Sequence, residues 1–137
     1  MTSTPDTRRN KIVLIVDDMP DNLNFIRTVL DAAGYLTVSA AGGPECIGVA
    51  LRMTPRVILL DIEMPMINGF ETCRLLRKHE ILRQVPIMFL TANKTREAMR
   101  DGIVAGGNDF MVKPFKPQKL IERIDHWAEQ PLAVSSQ

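Results

Sequence analysis

Unbroken apolar runs alternate along this chain with stretches in which apolar residues recur every three or four positions. The first run, Lys11–Val16, is rich in β-branched residues and has no polar alternation, as expected of a strand buried on both faces. Leu36–Ala40, Val57–Leu60, Val85–Leu90 and Phe110–Val112 supply four more strands, and Pro86 is tolerable where it stands, at a strand start. Between them lie helical patterns. Asp21–Ala33 places Leu23, Ile26, Leu30 and Ala33 on one face, and Gly34 closes it. Pro44–Arg52 opens with proline in its first turn. Gly69–His79 aligns Phe70, Cys73 and Leu76. Thr95–Ala105 is helical although Gly102 weakens it. Pro117–Glu129 turns Leu120, Ile121, Ile124 and Trp127 or Ala128 inward.

Five strand–helix units predict an α/β fold. The expectation is a doubly wound, five-stranded parallel sheet with helices on both faces and right-handed crossovers. Residues 11–130 form one domain, and 1–10 and 131–137 read as flexible ends. Composition agrees: 137 residues, 45% hydrophobic and 24% charged, suit a single core. A net charge of +1 gives no electrostatic case for nucleic acid or an anionic membrane. No apolar stretch approaches the ~20 residues that span a bilayer. The first ten residues lack an apolar signal core, so a cytoplasmic location is expected. Cys46 and Cys73 fit no metal spacing and read as small buried thiols.

The chemistry lies at the strand ends. Ile12-Val13-Leu14-Ile15-Val16 runs into Asp17-Asp18, and Val57-Ile58-Leu59-Leu60 into Asp61. An ionised carboxylate directly after a buried run is costly unless something uses it. If these strands are neighbours, three acids meet at one sheet edge, and their repulsion asks for a divalent cation. Thr91 follows the fourth strand and Lys113 the fifth. Functional groups in such a sheet collect beyond its carboxyl ends. A carboxylate can attack phosphorus, and Mg²⁺, Lys113 and Thr91 would then offset the charge on the transferring phosphoryl oxygens. A cis Lys113-Pro114 bond would aim the lysine back into this pocket.

Four segments carry a resemblance: Val13-Leu14-Ile15-Val16-Asp17-Asp18, Ile58-Leu59-Leu60-Asp61-Ile62-Glu63-Met64-Pro65, Phe89-Leu90-Thr91-Ala92 and Met111-Val112-Lys113-Pro114-Phe115. In that order, at those strand ends, they resemble the receiver domain of two-component response regulators. The resemblance implies a flavodoxin-like sheet of order 2-1-3-4-5. It implies Asp61 as phosphoacceptor, Asp18 as a direct metal ligand, Asp17 as a ligand through water, and Glu63 as a ligand through its backbone carbonyl. Thr91 would bond the phosphoryl group and Lys113 pair with it. Phe110 takes the place of a rotameric aromatic switch. It lacks the hydroxyl a tyrosine would bring, so packing alone is left to it. Glu63 and Asn93 take positions that tune phosphoryl lifetime.

The implied cofactor is Mg²⁺, with Mn²⁺ as a substitute. The implied phosphodonor is a sensor histidine kinase or a histidine phosphotransfer protein. An unidentified output partner would read the face made by the fourth helix, fifth strand and fifth helix. The expected state is a monomer or a phosphorylation-dependent dimer. The chain would catalyse only its own phosphorylation and dephosphorylation. Taken singly, several residues have plainer uses. Asp17-Asp18 could cap a helix, Asn68-Gly69 could form only a turn, and Phe110 could be ordinary core. Two other functions stand beside the first. One is a receiver-like interaction module that is never phosphorylated. The other is a Mg²⁺-dependent aspartyl phosphohydrolase, against which Glu63 stands where a second aspartate would be wanted.

Overall fold

A computed structural model of the protein describes residues 11–130. The expected flexible ends, 1–10 and 131–137, lie outside the described residues. Five strands follow in chain order: β1 (Ile12–Val16), β2 (Leu36–Ala40), β3 (Val57–Asp61), β4 (Ile87–Thr91) and β5 (Asp109–Val112). Five helices connect and follow them: α1 (Pro20–Ala32), α2 (Gly43–Met53), α3 (Gly69–Arg77), α4 (Arg96–Ala105) and α5 (Pro117–Ala128). The strands form one parallel sheet in the order β2-β1-β3-β4-β5, as expected.

The register divides the core into two layers. Leu14, Val16, Ile58, Leu60, Ile87 and Phe89 pack against α2 and α3, through Cys46, Cys73 and Leu76 among others. Val13, Ile15, Val57, Leu59, Met88, Leu90 and Met111 pack against α1 and α5, through Ile26, Leu30, Leu120 and Ile124. Side chains alternate between the faces of a strand, so each position's parity fixes its layer. Burial of both faces is why the strands read as continuous apolar runs.

Several boundaries differ from the periodicity for local reasons. The first helix stops at Ala32, because Gly34 turns left-handed at φ 97 and leaves Ala33 exposed rather than inward. The fourth strand begins at Ile87, since Pro86 has no N–H to give the ladder. α3 ends at Arg77, and a short 3₁₀ turn over Glu80–Leu82 follows that the apolar pattern did not predict. Asp61 and Thr91 belong to their strands instead of following them.

Gly102, which looked only like a weakness in α4, is a packing device. A Cβ there would approach the Phe89 ring to 3.0 Å, so the glycine lets this helix lie close on the sheet. Cys46 and Cys73 are buried and unpaired. Burial pushes the Cys46 thiol up to about 12 and the Cys73 thiol up to about 11, which keeps both inert.

Candidate functional site

The alternation that builds the core also sorts the polar groups beyond it. Asp61 follows Val57 and Leu59 in parity, Asp17 follows Val13 and Ile15, and Lys113 follows Met111. All three therefore emerge on the α1–α5 side. Oxygens of Asp17, Asp18 and Asp61 lie within 4.8 Å of one another. Asp17 and Asp61 are buried, and Asp18 is more open to solvent. Lys113 Nζ spans the pair, 3.4 Å from Asp17 Oδ2 and 3.4 Å from Asp61 Oδ1. The Lys113–Pro114 peptide is cis.

Asp17 is held firmly. Its Oδ1 accepts from Met19 N at 2.9 Å, and its Oδ2 from Asn22 Nδ2 at 3.2 Å. It does not cap α1, whose N-cap is Met19. Among the described residues Asp61 has no such donors beyond Lys113. Burial pushes its carboxyl up to about 6, Lys113 pulls against that shift, and Asp17 and Asp18 add to it. At neutral pH it remains ionised, with electron density to donate.

Three carboxylates against one ammonium leave the cleft two charges negative. An all-oxygen donor set with that deficit fits a hard divalent cation. Glu63 is exposed in the loop that follows β3.

Thr91 and Phe110 have the opposite parity. They continue the row of Ile87 and Phe89 toward the α2–α3 layer, and Thr91 ends β4 one residue after Leu90, the register partner of Asp61. Thr91 is buried, and its Oγ1 accepts from Asn93 N at 3.0 Å. Asn93 is exposed, and its Oδ1 accepts from Thr95 N at 3.0 Å. Phe110 packs on Phe89 at 6.4 Å between ring centroids, and Phe89 meets Phe70 edge-on at 5.4 Å.

Asn68-Gly69 does more than turn the chain. Asn68 Oδ1 accepts from Glu71 N, and Glu71 Oε1 accepts from Asn68 N, each at 2.9 Å. That reciprocal box starts α3, and Asn-x-x-Glu ahead of an apolar stripe was its sequence signal. A Cβ on Gly69 would sit 2.5 Å from the carbonyl oxygen of Asp61, so only glycine lets α3 press against the strand end.

The family model for the response regulator receiver domain matches residues 13–125. This chain belongs to that family. The receiver resembles the response regulator PleD of Caulobacter vibrioides, at 34% identity over 112 residues, 82% of this chain and 25% of PleD. It is 34% identical over 119 residues to the DNA-binding response regulator MtrA of Mycolicibacterium smegmatis, 87% of this chain and 50% of MtrA. The chain thus spans a quarter to a half of these curated relatives. Among solved structures it superposes on the receiver domain of the sensor histidine kinase PA1611 from Pseudomonas aeruginosa, whose active-site cleft coordinates a magnesium ion. The TM-score is 0.81 at 33% identity, covering 87% of this chain and 98% of that one. The Vibrio cholerae chemotaxis protein CheY4 gives 0.81 at 31% identity, covering 84% and 96%. Among the described residues no helix is long and apolar enough to cross a membrane.

Proposed function

We propose that Asp61 is the phosphoacceptor of this receiver and that Asp17, Asp18, Asp61 and the Glu63 carbonyl hold Mg²⁺ beside it. The observation that carries this reading is the Asp17–Asp18–Asp61 cluster bridged by Lys113. The donor is a phosphohistidine on a sensor kinase or phosphotransfer protein. An Asp61 oxygen attacks phosphorus, the N–P bond breaks, and the imidazole leaves with the electron pair and takes up a proton. Bound Mg²⁺ supplies positive charge to the phosphoryl oxygens. Lys113 contributes the second positive group and Thr91 a hydroxyl donor. In the resetting step water attacks phosphorus, the P–O bond to Asp61 breaks, and inorganic phosphate leaves. Glu63 and Asn93, both exposed, flank that approach and set its rate. Mn²⁺ is accepted in place of Mg²⁺ by the same oxygen set.

Residues 11–130 form the working unit. Thr91 and Phe110 pass the phosphoryl state to the α4–β5–α5 face, where an output partner or a second copy docks. Such a signal requires that the two states make different contacts. Both the phosphodonor and the readout are cytoplasmic. Borohydride reduction after phosphorylation, followed by peptide mapping, tests the residue assignment. An acyl phosphate on Asp61 is converted there to homoserine; the modification on any other residue contradicts the assignment.

A further inference from the structure

Among the described residues, the carboxylate outside the acidic cleft that accepts the most hydrogen bonds stands at the start of β5. Asp109 accepts four hydrogen bonds: Oδ1 from Phe110 N at 2.7 Å and Arg123 Nη2 at 2.8 Å, Oδ2 from Arg123 Nε at 3.0 Å and Trp127 Nε1 at 2.7 Å. A carboxylate has about four lone-pair sites, so this one is saturated. The guanidinium engages it in a bidentate pair through Nε and Nη2, the geometry that adds direction to strength. Arg123 and Trp127 are one helical turn apart and share a side of α5. An ion pair that merely decorated the surface would need neither the indole nor the backbone amide.

That amide belongs to Phe110, whose ring packs on Phe89 in the same row as Thr91. The other flank of α5 is tied to the opposite part of the domain. Tyr35 donates to Asp125 Oδ1 at 2.5 Å, and Arg56 donates to the carbonyls of Ala128 and Gln130. The helix thus hangs between a fixed side and a side that answers to β5. Any shift of the Phe110 peptide must either break its bond to Oδ1 or drag the carboxylate, and with it Arg123 and Trp127.

We infer that Asp109 is a positioning residue that couples the Phe110 peptide to the second half of α5. This inference rests on the receiver function proposed above. It places the moving part of the output face at Arg123 and Trp127 of α5.

The chain's only tryptophan is Trp127, so its indole N–H gives one unambiguous signal in a proton–nitrogen spectrum. The full chain is observed before and after acetyl phosphate with Mg²⁺, with intact mass followed in parallel. The expected result is a shift of the indole signal that tracks the mass gain. In Asp109→Asn the mass gain is kept, and the phosphorylation-dependent shifts of α5 amides are lost. Arg123→Gln gives a second break in the same link if Asp109→Asn folds poorly. A full mass gain with the indole signal unmoved overturns the inference and leaves the receiver function standing. A missing mass gain with acetyl phosphate, and with a phosphohistidine donor as well, overturns the phosphoacceptor role instead. The coupling is then judged by Phe110→Ala, which displaces the β5 peptide without phosphate: it must shift the indole signal in the otherwise native chain and not in Asp109→Asn. An indole signal blind to Phe110→Ala overturns the inference independently.

Discussion

Asp61 owes its chemistry to what surrounds it. Its neighbour Asp17 spends its oxygens on Met19, Asn22 and Lys113, whereas Asp61 has only Lys113 to offset burial. The folded chain therefore holds the Asp61 proton more tightly than the unfolded chain, with a value near 6 against an ordinary 3.8. For a carboxyl raised in this way, native stability is lost as pH rises from about 4 to about 6 and is level above that window. Asp61→Asn removes the cost. In chelator, the asparagine variant is expected to be more stable at pH 7.5 by about 1–2 kcal/mol, the difference vanishing toward pH 4. Urea denaturation across that range measures it. A difference that does not change with pH would show that burial of the charge is not what strains this site. Protons also compete with the cation, so Mg²⁺ affinity should fall as pH drops below about 6.

The elements show which interactions a sequence displays and which it hides. Strand runs, the α1 and α5 stripes and the α3 capping box are local, with partners within one or two turns, and could be read directly. The ties that position helices against the sheet join residues far apart in the chain. Arg77, at the end of α3, donates to the carbonyls of Gly106, Leu82 and Val85 at 3.0, 2.8 and 2.7 Å, and to Asn108 Oδ1 at 2.8 Å. Asn108 Oδ1 in turn accepts from Ile87 N at 2.9 Å. Nothing in the spacing of Arg77 distinguishes it from a solvated helix-end cation. This clamp gathers α3, the 3₁₀ turn, the start of β4 and the α4–β5 connection at the edge opposite the acids. Arg77→Met removes all four of these hydrogen bonds at once and should cost about 2–4 kcal/mol in thermal or denaturant unfolding. Mg²⁺ affinity of the folded variant should be unchanged, because the clamp and the cleft lie at opposite ends of the sheet. A large loss of Mg²⁺ binding in folded protein would contradict that separation.

At the scale of the whole molecule, period-two alternation across four paired strands converts sequence order into a division of labour. Asp17, Asp61 and Lys113 fall on one side of the sheet, and Thr91 and Phe110 on the other. A one-residue register slip in any one of these strands would move that strand's own group to the other side. The parts list was legible because each group ends an apolar run. The two-sided arrangement was not, because it depends on registers that only the assembled sheet defines. The same holds for Asp109, whose partners lie 14 and 18 residues away on α5.

The central claim is that this cleft places a phosphoryl group on Asp61 with a divalent cation. Intact-protein mass after incubation with acetyl phosphate tests it most directly, with Mg²⁺ or with chelator, alongside Asp61→Asn. The account predicts a gain of one phosphoryl group in the native chain with Mg²⁺, and none with chelator or in the variant. An equal gain in Asp61→Asn would contradict the assignment of Asp61. No gain in folded, Mg²⁺-bound protein, with a phosphohistidine donor as well as acetyl phosphate, would contradict the phosphoacceptor role and leave a receiver that acts only by binding.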